Sequence, residues 1–171
     1  MQNKLPEVLT EEEFVQIIKK VKKEHHRVAF ILGFYQCMRI SEVVKIKQEN
    51  VRYLEHLIEI KEAKGGKDRH IPIMKPTLLP EQTVMRALKK IPIVKCGTRA
   101  LQMSFKKYAK EILGRDLHFH SLRHGGATWL LTVKKWDPRQ TQRFLGHSKL
   151  DTTMIYTHVR PQDLVDLEWG D

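Results

Sequence analysis

Tyr156 lies nine residues after His147, and both follow His120-Ser121-Leu122-Arg123-His124 in a strongly basic chain. With Arg39 and Lys64 upstream, these side chains match the demands of breaking a phosphodiester without a metal. A nucleophile must attack phosphorus, cations must hold the non-bridging oxygens as charge builds, and an acid must protonate the departing oxygen. Tyr156 is the candidate nucleophile. A free tyrosine hydroxyl ionises at about pH 10, so attack needs a base or cationic surroundings, which Arg39, Arg123 and His147 are placed in the sequence to supply. The structural alternative for Tyr156 is a core tyrosine with a hydrogen-bonded hydroxyl.

Among the other candidates, Arg39 also has a plainer reading. Arg39, in Gln36-Cys37-Met38-Arg39-Ile40-Ser41-Glu42, falls at a break between two helices. Its guanidinium fork matches two phosphate oxygens, or it pairs with Glu42 as a cap. Lys64 sits at a hairpin tip, in Lys64-Gly65-Gly66-Lys67, where glycines permit close approach to a ligand and an ammonium can act as the acid; Lys67 competes for that role. His120 and Arg123, three apart on a helix, share a face suited to gripping one phosphate. His118, His120 and His124 could also be read as a metal cluster, but their spacing is not a zinc pattern. His147 follows Leu145-Gly146, where the glycine ends a helix. Cys37 and Cys96 stand in unlike contexts and support neither a disulfide framework nor a thiolate metal site. No metal and no cofactor is expected.

The elements that must position these residues are mostly helical. Thr10-Glu11-Glu12-Glu13 fits a capping box, and Phe14, Ile17, Ile18 and Val21 follow at helical spacing, which predicts an amphipathic helix over 10–24. A more buried helix is expected over 27–37 and a short one from Ser41-Glu42. Alternating β-branched residues on either side of Gly65-Gly66 predict a hairpin within 51–73, with an earlier strand near Val51–Tyr53; Pro72 confines its strand to an edge or to the last rung. Helical periodicity resumes over 81–90 and over 98–113, ended by Gly114. Further helices are expected over 120–133, over 138–145 with Pro138 in the first turn, over 151–156 and over 161–167. The fold class is therefore mainly α with one small antiparallel sheet (α+β), in a single domain.

At 171 residues the chain suits one well-cored domain. It carries 31 Lys+Arg against 20 Asp+Glu, a net charge of +11, and a polyanion is the natural partner of such a field. A solubilising lysine surface is the alternative. Apolar runs such as Val28–Phe34 are far too short to span a membrane, and no secretory leader is evident at the N-terminus. These features point to a cytoplasmic protein.

Together, in this order, the motifs resemble one family. The chain is similar to the catalytic domain of the tyrosine recombinases, the phage integrase family that includes the Xer-type recombinases. Met38-Arg39-Ile40-Ser41-Glu42 resembles the first arginine box. Lys64 to Ile73 resembles the β-hairpin lysine box, which favours Lys64 over Lys67. His120-Ser121-Leu122-Arg123-His124 and Leu145-Gly146-His147-Ser148 resemble the second box, and Thr152 to Val159 the tyrosine box. The resemblance implies DNA recombination or integration. Tyr156 would form a 3′-phosphotyrosyl link to duplex DNA, and Arg39 and Arg123 would clamp the phosphate. Lys64 would protonate the 5′ oxygen, His120 would act in acid–base transfer, and His147 would bond the phosphate, with neither ATP nor metal. It also implies a prokaryotic or viral origin, work at the nucleoid, and a homo-tetramer on DNA through the C-terminal segment; Trp169 packing on its own domain is the alternative to that docking.

Two departures from the family pattern bear on these expectations. Only about seven residues precede the first helix, so an N-terminal core-binding domain is expected to be absent. A DNA-binding protein that does not recombine, or a nicking–closing protein of topoisomerase IB type, is then the alternative function. Gly125-Gly126 follows the His-x-x-Arg-His motif, and each helix-interior glycine costs about 1 kcal/mol, so a loosened helix is expected there.

Overall fold

The computed structural model describes residues 8–61, 68–93, 96–146 and 161–170, the side chains of 161–164 excepted. Its helices are α1 (Glu11–Lys20), α2 (Glu24–Tyr35), α3 (Ile40–Lys45), α4 (Thr83–Leu88), α5 (Thr98–Leu113), α6 (Phe119–Thr132), α7 (Pro138–Leu145) and α8 (Pro161–Trp169). Strands β1 (Val51–Arg52), β2 (Leu57–Ile60) and β3 (Arg69–Pro72) form one antiparallel sheet in that order. Pro72 pairs with Leu57 on the edge strand β3, where its missing N–H costs no ladder bond on the open side. The mainly helical fold with a small antiparallel sheet is thus the expected one. The helix expected over 151–156 and the hairpin tip lie outside the described residues.

α2 is the axis of the molecule. From Val28 to Tyr35 every residue is buried, and a helix apolar on all sides belongs at the centre of a core. It packs against α1, α3, α4, α5 and α6. Phe14 of α1 stacks on Phe34 with centroids 4.3 Å apart, and Phe30 meets Phe105 and Phe119 edge-on. The capping box of α1 forms as read: Glu13 N–H donates to Thr10 Oγ1 at 3.3 Å and Thr10 N–H to Glu13 Oε2 at 3.1 Å. α1 nevertheless stops at Lys20, short of the expected 24, because the chain turns extended at Val21. α5 ends at a left-handed Gly114, as expected.

Gly125 and Gly126 correct the expectation of a loosened helix. α6 runs unbroken through both. A Cβ on Gly125 would stand 2.5 Å from the Leu9 carbonyl oxygen, and one on Gly126 would stand 2.0 Å from the Phe34 carbonyl oxygen. Gly126 is where α6 lies directly on α2 and Gly125 where it also meets the chain ahead of α1, so what they lose in helix propensity is traded for close contact.

Glu11 fastens these layers. It is buried in the first turn of α1 and accepts hydrogen bonds from Tyr35 Oη (2.8 Å), the Thr77 and Leu78 amides (both 3.0 Å) and Trp129 Nε1 (2.9 Å), as well as from the Thr77 hydroxyl. α8 lies against β3: Trp169 donates from Nε1 to the Ile73 carbonyl at 2.7 Å, stacks on His56 and lies beneath Lys75 Nζ. Trp169 therefore packs on its own domain. No helix among the described residues is long and apolar enough to cross a membrane.

Candidate active site

Three segments far apart in sequence meet at the C-terminal end of α2. Cys37 turns the chain out of the helix in a left-handed conformation (φ 49°), which costs a residue bearing a Cβ about 1–2 kcal/mol. Its carbonyl then receives Arg123. The Arg123 guanidinium, 4% exposed, donates from Nη1 to Cys37 O and from Nη2 to Leu145 O, both at 2.6 Å. Those bonds take two of five N–H donors. They also aim a group that burial, and secondly the like charge of Arg39, push down to about pKa 10. A desolvated guanidinium within reach of a second cation makes a place where an anion lowers the energy of both.

Arg39 is the N-cap of α3. Its N–H donates to Glu42 Oε2 at 2.8 Å and its Nη1 to Glu42 Oε1 at 2.9 Å. The cap pairing is real, yet the Arg39 side chain keeps 37% exposure, so one geometry accommodates both readings. The carboxylate holding it is shared. Arg69, at the start of β3, approaches both Glu42 oxygens through Nη1 (2.9 Å) and Nη2 (3.1 Å), and its Nε donates to Phe144 O at 3.2 Å. Burial disfavours the charged form of Glu42, but hydrogen bonding and attraction from Arg69, joined by Arg39, outweigh it and lower its pKa. Gly146 completes the junction: it ends α7 at φ 67°, and a Cβ there would stand 2.6 Å from Arg69 Cδ.

Arg69 had no role of its own in the sequence, and Glu42 only that of a cap for Arg39. A signal existed for Glu42, which is the only acidic residue between Glu24 and Glu49. A lone carboxylate in such a stretch is there to hold cations. His120 stands exposed in the first turn of α6, its ring edge-on to His124 with centroids 4.4 Å apart, one turn before Arg123. His118 caps that helix instead, its N–H donating to Ser121 Oγ at 3.1 Å. Arg39 and Arg123 are thus brought together with His120 on the adjoining turn, while Lys64, His147 and Tyr156 lie outside the described residues. The cleft beside Glu42, lined by Glu42, Lys45, Lys47, Glu49, Glu59 and Lys61, mixes signs evenly and does not by itself select an anion.

A family model described as the phage integrase family matches residues 7–163. The chain belongs to the phage integrase family. The matched span contains all six candidate residues. Tyrosine recombinase XerA of Pyrococcus horikoshii is 32% identical over 171 aligned residues, covering 94% of this chain but 59% of that protein, so the chain spans about three fifths of this relative's length. In three dimensions it is similar to an integrase from mycobacterium phage Brujita, with a TM-score of 0.74 and 20% identity over 98% of this chain and 58% of the other. It is also similar to a lambda integrase dimer bound to a COC′ core site, with a TM-score of 0.68 and 18% identity over 85% of this chain and 45% of that one. At such identities the likeness establishes the fold.

Proposed function

We propose that this integrase-family chain is a catalytic domain that breaks and rejoins duplex DNA at specific sites through a 3′-phosphotyrosyl intermediate. The observation that carries the reading is the aim of Arg123. A buried guanidinium is held by two carbonyls beside the half-exposed Arg39, at the junction of the first and second boxes. In this reading Arg39 and Arg123 clamp the non-bridging oxygens, and the Tyr156 hydroxyl oxygen attacks phosphorus. The bond to the 5′ oxygen breaks as Lys64 protonates it, His120 moves the tyrosine's proton, and His147 donates to the phosphate. Attack of a partner strand's 5′-hydroxyl reverses these steps, so bond energy is conserved and neither ATP nor metal is consumed.

Duplex DNA is the proposed partner. It is supported by the net charge of +11 and by the lambda integrase dimer's being bound to a core site. Four copies would assemble on DNA, and the protein would work in the cytoplasm at the nucleoid of a prokaryotic host. The test is incubation with nicked suicide duplexes followed by denaturing electrophoresis. Wild type is expected to give a covalent adduct that persists in a chelator, and Tyr156→Phe none. DNA binding without adduct across many sequences would leave only a binding module, and adduct with Tyr156→Phe would reassign the nucleophile.

A further inference from the structure

Cys96, whose sequence context suggested no metal ligand, is brought by the fold against two histidines from the far end of α2. One ligand atom from each of His25, His26 and Cys96 lies within 4.8 Å of the other two. The histidines occupy the first turn of α2, and Cys96 stands two residues before α5, next to its N-cap Gly97. At about 1.5 Å of rise per residue the cluster sits roughly 15 Å along α2 from the Cys37 turn, so it belongs to a different part of the molecule from the arginine pair.

We propose that His25, His26 and Cys96 form a binding site for a zinc-class divalent cation, which ties the start of α2 to the segment before α5. An imidazole–imidazole–thiolate set is borderline-soft and suits Zn²⁺ over Mg²⁺ or Ca²⁺. With zinc–nitrogen bonds of about 2.0–2.1 Å and a zinc–sulfur bond of about 2.3 Å, tetrahedral ligand atoms stand roughly 3.4–3.6 Å apart. The observed cluster closes to that by little more than 1 Å of side-chain adjustment. His26 and Cys96 are both buried, so the ion would sit in a largely desolvated place. Ser104 Oγ lies 2.7 Å from His26 Nδ1, the pattern by which an outer residue orients a ligating imidazole and leaves its other nitrogen for the metal. Lys23 is the opposing charge, acting on both His26 and Cys96. It is exposed and can turn its ammonium to solvent. Binding would release the Cys96 thiol proton to solvent, and no step of strand cleavage is routed through the ion.

The test uses the whole chain and Co²⁺ as a spectroscopic stand-in for Zn²⁺. The expected result is one equivalent of Co²⁺ bound with a near-ultraviolet sulfur-to-cobalt charge-transfer band that Zn²⁺ bleaches. Cys96→Ser should abolish the band, while Cys37→Ser keeps it, since Cys37 lies fully buried against Phe34 O. Ser104→Ala should weaken Co²⁺ binding by about tenfold. Zn²⁺ should raise the melting temperature of wild type and slow alkylation of Cys96, and should do neither to Cys96→Ser. No charge-transfer band in wild type, or a band that survives Cys96→Ser in a variant with unchanged circular dichroism, overturns the site. These readouts contain no DNA, so their failure is distinct from failure of the recombinase reading.

Discussion

Glu42 holds two guanidiniums on one buried carboxylate, so the phosphate grip proposed for Arg39 depends on a residue that would touch no DNA. Its lowered pKa fixes the sign of a pH effect. The stabilisation is fully present above the carboxyl's unfolded value and is lost as pH falls through its folded value below that. The melting temperature of wild type should therefore exceed that of Glu42→Gln at neutral pH, and the gap should close in acid; a gap constant with pH would mean the charge is idle. Arg69→Lys keeps the charge but loses the fork that spans Glu42 and Phe144. We expect adduct formation to slow by about a hundredfold, the scale of a small misplacement of catalytic groups, with DNA affinity within a factor of about two. Single-turnover cleavage alongside equilibrium binding checks this, and matched losses in both would make Arg69 a binding residue. Arg39 and Arg123 stood out as candidates in the sequence because each lies in a local motif. Arg69 was not, because its contacts reach 27 residues back and 75 forward along the chain.

Helix α6 reads from sequence as a weakened helix and folds as the closest neighbour of α2. The two effects at Gly126 have opposite signs. Alanine there would gain about 1 kcal/mol of helix propensity, while a methyl 2.0 Å from the Phe34 carbonyl oxygen forces backbone to move, at about 1–3 kcal/mol or more. Packing should win. Gly126→Ala is expected to lower the melting temperature by several degrees, at roughly 2–4 °C per kcal/mol for a domain of this size; a rise would mean that the helices separate without penalty. Most elements were legible to within a few residues, since caps and periodicity are local: Thr10, Gly114, Pro138 and Gly146 each do what their types predict. The approach distance between two helices is not written in either one, and so the meaning of Gly125-Gly126 appeared only with α2 in place.

Across the whole molecule, charge is the property most readable from sequence and cross-links the least. A net +11 names a polyanion, but it does not reveal that α8 lies over its own β3. There Glu168 accepts from the Lys75 amide and from Lys134 Nζ, both at 2.8 Å. Burial raises the Glu168 pKa against the pull of Lys134, so its charge costs the docked helix more as pH rises from acid toward neutral. The buried carboxylate of Glu11 carries a practical corollary for anyone dissecting the protein. A fragment trimmed past residue 11 deletes the acceptor shared by Tyr35, Thr77, Leu78 and Trp129, and each orphaned donor costs about 1–3 kcal/mol. Together those penalties rival the net stability of an ordinary domain, about 5–15 kcal/mol. A cut before Val8 should leave thermal unfolding cooperative, whereas a cut after Glu12 should abolish it. The shortest piece that can be excised and still fold is thus set by one acidic side chain near the beginning of α1.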